Sequence, residues 1–231
     1  MKKQCILTLG VITGSAMSAL AGGFTGFEGL TEGVAGDTFS HGGITFYNLN
    51  NDSGINPDGS NFGPGDYGTN FIIENATLAV NDFPGTLSGT NALSWGNAFV
   101  PGDSLSINIV STLSMTTGQQ ETDASFNILY FENGPWGGIT IELLAMLNGD
   151  VVNSDSILIS DLGGRDNLIG DMLSVNGVAF DSLTLNARFD DGTSTAFAGL
   201  IDNVTITPAP GTVGVLLLAG TGIVRRRRSI N

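Results

Sequence analysis

Every strong periodicity in this chain has period two. Leu105, Ile107, Ile109, Leu113 and Met115 share one phase; Phe126, Ile128 and Tyr130 repeat the pattern, as do Ile139, Ile141 and Leu143. Val178 and Phe180 continue into Leu183, Leu185, Ala187 and Phe189 after a one-residue change of phase at Asp181-Ser182, where a bulge is expected. Ala198, Leu200, Val204 and Ile206 make the last run. Successive side chains of a strand point to opposite faces, so such alternation buries one face of a sheet and leaves the other to polar residues. No run sustains a 3.6-residue period, and only 162–173 leaves room for a short helix. Glycine supplies 34 of 231 residues and clusters with Asn, Asp, Ser and Thr between the runs, as strand punctuation requires. The expectation is all-β: about eight to eleven short strands without helical crossovers, in a two-sheet antiparallel sandwich of the jelly-roll kind. No internal repeat favours a propeller or a β-helix.

The two ends obey other rules. Lys2 and Lys3 precede a mostly apolar stretch, and Ala19-Leu20-Ala21 places small residues where signal peptidase needs them, so 1–21 reads as a helical signal peptide and the mature chain begins at Gly22. Cys5, the one cysteine, leaves with it, and the mature protein carries neither disulfide nor thiolate ligand. At the other end Pro208-Ala209-Pro210 is followed by fourteen apolar or small residues and by Arg225, Arg226, Arg227 and Arg228. Fourteen helical residues span roughly 21 Å, a marginal crossing of a bilayer, with the arginines held on the cytoplasmic side.

Proline motif, short apolar helix and arginine cluster, in that order at the extreme C-terminus, resemble the PEP-CTERM sorting signal, here with Ala209 in the middle of the motif. The resemblance covers 208–228. It implies an exosortase-like processing enzyme, a Gram-negative-type host, a transient tether in the inner membrane, and a final location at the cell surface or outside the cell. The organisation expected is therefore a signal peptide (1–21), one β-sandwich domain (22–207) and a sorting tail (208–231).

The domain between holds all 22 acidic residues against Arg165 and Arg188 and has no lysine, a formal charge of −20. Such a surface repels phosphate backbones, which excludes nucleic acid as a partner, and it attracts divalent cations. The apolar content and length still support a folded core. Within it, Glu28 shares a phase with Phe24, Gly26 and Leu30, and Asp202 with Leu200, Val204 and Ile206, so each acid falls in a row that otherwise points inward. A buried carboxylate protonates, pairs or binds a metal. With two arginines available, a hard cation such as Ca²⁺, which takes six to eight oxygens, answers the need; solvent-exposed strand ends are the alternative. Phe27-Glu28-Gly29 and Leu200-Ile201-Asp202-Asn203-Val204 resemble the first- and last-strand signatures of jelly-roll carbohydrate-binding modules. That resemblance implies that Glu28 and Asp202 share one structural Ca²⁺ joining the termini.

The segment 48–70 reads as a long loop in which Asp52, Asp58 and Asp66 serve solvated turns; Ser53 stands where an EF-hand requires glycine. Trp136, in Asn133-Gly134-Pro135-Trp136-Gly137-Gly138, offers a flat face to a pyranose ring, whereas Trp95 and Tyr130 sit in strands and read as packing. His41 is the one histidine, beside Gly42-Gly43, with no Cys partner and no recognisable Ser or Asp signature, so neither zinc nor a catalytic triad has its ligands. Together these features point to an exported, non-catalytic surface or matrix protein. A carbohydrate-binding module, with extracellular polysaccharide as partner, is the first alternative, and a glycoside hydrolase or lyase acting through a carboxylate pair is the second.

Overall fold

The computed structural model describes residues 22–56, 58–67, 70–77, 85–96, 109–132, 138–159 and 167–209. The segment 1–21 expected to be a signal peptide, the tail beyond Ala209 and the segment around Trp136 lie outside these residues. In chain order the strands are β1 (Gly23–Thr25), β2 (Gly33–Gly36), β3 (Phe39–His41), β4 (Ile44–Tyr47), β5 (Gly54–Ile55) and β6 (Asn61–Phe62). They continue with β7 (Asn70–Asn75), β8 (Asn91–Gly96), β9 (Ile109–Val110), β10 (Thr112–Thr116) and β11 (Glu121–Glu132). The last are β12 (Ile139–Leu147), β13 (Asp150–Ile159), β14 (Asn167–Val175), β15 (Ser182–Phe189) and β16 (Phe197–Pro208).

Two antiparallel sheets result. One runs β14-β11-β16-β8-β7-β2, with β1 and β9 also paired to β16; the other runs β13-β12-β15-β10-β4-β3. From β10 onward the chain crosses repeatedly between them, which makes a jelly-roll-like β-sandwich. The core between the sheets holds Phe27, Phe46, Phe71, Phe126 and Phe180 with Leu113, Ile141, Leu143, Leu183 and Leu185, all at most 1% exposed. The alternation of β12 is copied directly into burial: Ile139, Ile141, Leu143 and Ala145 point in, and Thr140, Glu142, Leu144 and Met146 point out.

Four local expectations change. Residues 167–175 form β14 rather than a helix. The 48–70 segment contains the β5–β6 hairpin, anchored where the Ile55 N–H donates to the Ser194 carbonyl. Asp181 precedes β15 rather than bulging within a strand. A bulge lies instead in β16, where Asn203 adopts φ 52° and two residues, Asn203 and Val204, oppose Phe126 alone. An Asn tolerates this left-handed conformation better than most residues, and the extra residue reverses the phase. Ile201, Val204 and Ile206 therefore point into the core, and Leu200 and Asp202 point to the other face of the sheet.

Candidate functional site

Two places gather polar side chains. The first joins the ends of the chain. Phe27, not Glu28, enters the core, at φ 58°, and Phe24 is 61% exposed, so Glu28 is an exposed residue and not part of an inward row. Its carboxylate is nonetheless held: Oε1 accepts from the Thr90 and Asn91 N–H groups at 2.6 and 2.9 Å, and Oε2 from the Thr90 hydroxyl at 3.1 Å. Gly89 makes this approach possible, because a Cβ there would lie 2.1 Å from Glu28 Oε1. Although burial works against it, these donors from Asn91 and Thr90 keep the Glu28 carboxyl below the usual range.

Asp202 is wholly buried. Its Oδ2 accepts from the Ser88 N–H at 2.7 Å and the Ser88 hydroxyl at 3.2 Å, and Oδ1 from the Asn203 N–H at 2.7 Å. Burial pushes its carboxyl up to about 6; the hydrogen bonds from Ser88 and Asn203 oppose the rise, and the charge of Glu28 adds to it. The segment 88–91 thus bridges the two acids that the sequence singled out. Asp202 Oδ1, Asn203 Oδ1 and Ser88 Oγ also converge on Gly26, each 3.5–3.7 Å from the point a Cβ would occupy. The Ser88 hydroxyl also donates to Asn203 Oδ1 at 2.7 Å, so a hard cation there would have to compete for this oxygen. Among the described residues, no three His, Cys, Asp or Glu side chains gather closely enough to hold a metal.

The second place is a groove on the outer face of the β13-β12-β15-β10-β4-β3 sheet. Register sets Thr112 beside Asn186 and Ser114 beside Thr184, with Asn186 opposite Glu142 and Thr184 opposite Leu144. These side chains face away from the core, yet Thr112, Ser114 and Asn186 are buried. Thr112 Oγ1 donates to Asn186 Oδ1 at 2.9 Å, and the Ser114 and Thr184 hydroxyls lie 3.3 Å apart. Asn48, Asn51 and Asp52 rise on one side, and Leu144, Met146 and Val151 on the other, enclosing about 300 Å³. Asn50 fixes the first wall: its Oδ1 accepts from the Ser111 N–H and hydroxyl, and its N–H donates to the Thr112 carbonyl. Arg188 stands at the end, with Nε 3.3 Å from Glu142 Oε2.

Sequence reasoning missed this groove because the polar half of each alternation read as a solvent face. One signal was present: Arg188 is one of two arginines, with no lysine, between residues 22 and 207, and it falls at a polar position of β15, in phase with Thr184 and Asn186. Of the remaining candidates, Asp58 and Asp66 do serve turns, accepting from Ser60 and Gly63, whereas Asp52 belongs to the groove wall. His41 is not a free surface residue, since its Nδ1 lies 2.6 Å from the Thr25 hydroxyl. Tyr130 packs in the core. Pro208 closes β16 opposite Glu121, and the Ala209 N–H reaches the Gln120 carbonyl at 3.2 Å. Trp136, Ala19, Ala21, Pro210 and Arg225 to Arg228 lie outside the described residues. Among the described residues, no helix is long and apolar enough to cross a membrane.

No protein-family model and no curated protein sequence matches the chain. Solved structures with some likeness include the K2 cleaved adhesin domain of Lys-gingipain, at 12% identity and TM-score 0.42 over 82% of this chain and 99% of that one. Another is the CBM22-1 xylan-binding domain from Paenibacillus barcinonensis Xyn10C, at 14% identity and TM-score 0.34 over 84% of this chain and 99% of that one. A third is TmCBM61 in complex with β-1,4-galactotriose, at 12% identity and TM-score 0.30 over 60% of this chain and 82% of that one. These likenesses are distant, so what the groove does is read from its own side chains.

Proposed function

We propose that this chain is an exported, non-catalytic β-sandwich of the cell surface or extracellular matrix that holds polysaccharide in the groove of the Thr112–Asn186 face. The observation that carries this reading is the make-up of the groove. Its floor is hydroxyls and amides, which both donate and accept hydrogen bonds as sugar hydroxyls do. Its far wall, Leu144, Met146 and Val151, offers an apolar surface to the C–H face of a ring. Most glycoside hydrolases flank the scissile bond with two carboxyl groups. Among the described residues lining the groove Asp52 is the one carboxylate, and Glu142 beside it is engaged by Arg188. That supports binding without turnover.

Glu28 and Asp202, with Asn203 and Ser88, are proposed to hold one Ca²⁺. When bound, the ion would offset the repulsion between the Glu28 and Asp202 carboxylates and tie the start of the domain to its last strand. The tail from Pro208 onward is proposed to be the sorting signal, continuous with β16 and next to the mature N-terminus. Gly22 backs onto Ile206 and Pro208 so closely that a Cβ would fall 2.4 and 2.7 Å from their atoms, an arrangement consistent with both ends leaving from one pole of the domain.

The test is affinity electrophoresis of the mature domain through gels containing soluble glucans, xylans, mannans and galactans. Retardation by at least one polymer is expected, with about tenfold weaker binding in Asn51→Ala/Met146→Ala and an unchanged thermal melt. Binding that survives this variant but disappears in Trp136→Ala would move the ligand to the 133–138 loop. Sugar release from any of the polymers would overturn the non-catalytic reading.

A further inference from the structure

Arg188 is the one arginine or lysine among the described residues, and its surroundings already claim its charge. Nε faces Glu142 Oε2 at 3.3 Å, and Nη1 donates to the Gly192 carbonyl at 3.2 Å and to the Ser194 hydroxyl at 3.4 Å. That hydroxyl in turn donates to Asp52 Oδ2 at 3.2 Å. The guanidinium therefore sits between two carboxylates, one in direct contact and one reached through Ser194. The bracket is built by the fold. Glu142 and Arg188 project from neighbouring strands, β12 and β15, on the face that carries the groove. The turn between β15 and β16, which supplies Gly192 and Ser194, holds Nη1 from the other side.

We infer that this bracket makes the groove selective for uncharged polysaccharide over carboxylated polysaccharide, with Arg188 and Glu142 as its specificity-determining residues. The inference rests on the polysaccharide-binding reading above. In an open groove, an arginine is the group that would recognise a uronate, because its planar fork matches a carboxylate in two parallel hydrogen bonds. Here Glu142 already holds one edge of that fork. An incoming carboxylate has to displace it or sit beside it, and in either position it approaches Asp52 as well. Like charges at this range disfavour one another. A neutral sugar meets no such conflict and can accept from the guanidinium, whose bonds to Glu142, Gly192 and Ser194 run through Nε and Nη1.

The domain's overall charge of −20 also repels polyanions, so the experiment has to separate local from diffuse repulsion. Each neutral polymer that retards the mature domain is compared with its carboxymethylated form, in gels containing about 0.5 M NaCl, where screening confines electrostatics to a few ångströms. The readout is the ratio of the two affinities. In the parent, the carboxymethylated form should bind at least tenfold more weakly. Glu142→Gln, which keeps shape and hydrogen bonding while removing the competing negative charge, should narrow that ratio by about tenfold. Glu142→Gln/Arg188→Gln should return it to the parent value. A shift of that size from one charge among more than twenty cannot come from the diffuse field.

A parent that binds both forms equally, or a Glu142→Gln ratio that does not move, overturns the inference and leaves polysaccharide binding intact. If no polymer retards the domain at all, the binding reading falls and takes the selectivity with it.

Discussion

The two sheets treat their outer faces differently. On the sheet built around β16, a central set of residues that point away from the core is itself buried: Ile72, Ala92, Leu129 and Leu200 are at most 1% exposed, and Glu74, Ser94 and Asp202 at most 4%, while Met172 near the edge is 55% exposed. The segment leading into β8 lies over this face, with Thr86 against Gly170 and Ser88 on Asp202. On the sheet built around β15, the outward residues of β10 and β15 are Thr, Ser, Asn and Arg, and with Leu144 and Met146 of β12 they line an open groove. Both sheets show the same period of two. What differs is the chemistry of the alternate positions: aliphatic outward residues call for a cover, whereas hydroxyls and amides can face water or a ligand. One outer face is therefore part of the packing, and the other is free to bind.

The sharpest way to break this contrast is to truncate a leucine on each face. Leu200→Ala empties a fully buried site and should cost about 3 kcal/mol. Leu144→Ala, in the groove wall, should cost less, about 1 kcal/mol, because the side chain is only partly buried. Urea denaturation of both variants measures the two costs. Equal losses would mean that the outer faces are alike and that the groove is packed rather than open.

A second test turns on Asp202, the polar residue of the covered face. Its carboxyl titrates near 6 in the folded protein against an ordinary 3.8. Between those values the folded form binds the proton and the unfolded chain does not, so in EDTA stability should fall as pH rises from about 4 to about 6 and level off above. The drop should be roughly 1–3 kcal/mol, and Asp202→Asn should flatten it. Bound Ca²⁺ favours the ionised acid, so adding Ca²⁺ should reverse the slope, with stability lost as the pH drops through this range. Mg²⁺ demands a smaller octahedral shell and should do so less. Equal stabilisation by both ions, unchanged in Asp202→Asn, would reduce the effect to diffuse screening and remove the proposed cation site.

The same contrast explains what could be read from the sequence. Inward rows such as Ile139, Ile141 and Leu143, or Leu183, Leu185 and Ala187, were legible because alternation maps directly onto burial. Glu28 and Asp202 do not lie in the inward rows that the alternation suggested. The phase of β16 reverses at Asn203, a bulge that hydropathy cannot register, and Asp202 is buried by a loop from elsewhere in the chain rather than by the core. The groove was illegible for a related cause. Thr112, Ser114, Thr184 and Asn186 become neighbours through pairing of strands about 70 residues apart, and only register reveals that they share one floor.

The smallest effect on stability should come from the floor itself. Thr184→Val keeps the shape of a β-branched residue and removes one hydroxyl, whose partner Ser114 Oγ lies at 3.3 Å, near the limit of a hydrogen bond. Val also suits a strand, so the fold should change by about 0.5 kcal/mol or less. Binding should respond more strongly. A hydroxyl facing a sugar contributes about 1 kcal/mol, which corresponds to a roughly fivefold to tenfold weaker retention in the polysaccharide gel. The same exchange on the covered face, Ser94→Val, adds volume to a site that is already 0% exposed and should destabilise without touching binding. If Thr184→Val lowers stability as much as Ser94→Val does, or leaves retention unchanged, the hydroxyl row on β15 is a packing feature and the contrast between the two faces is lost.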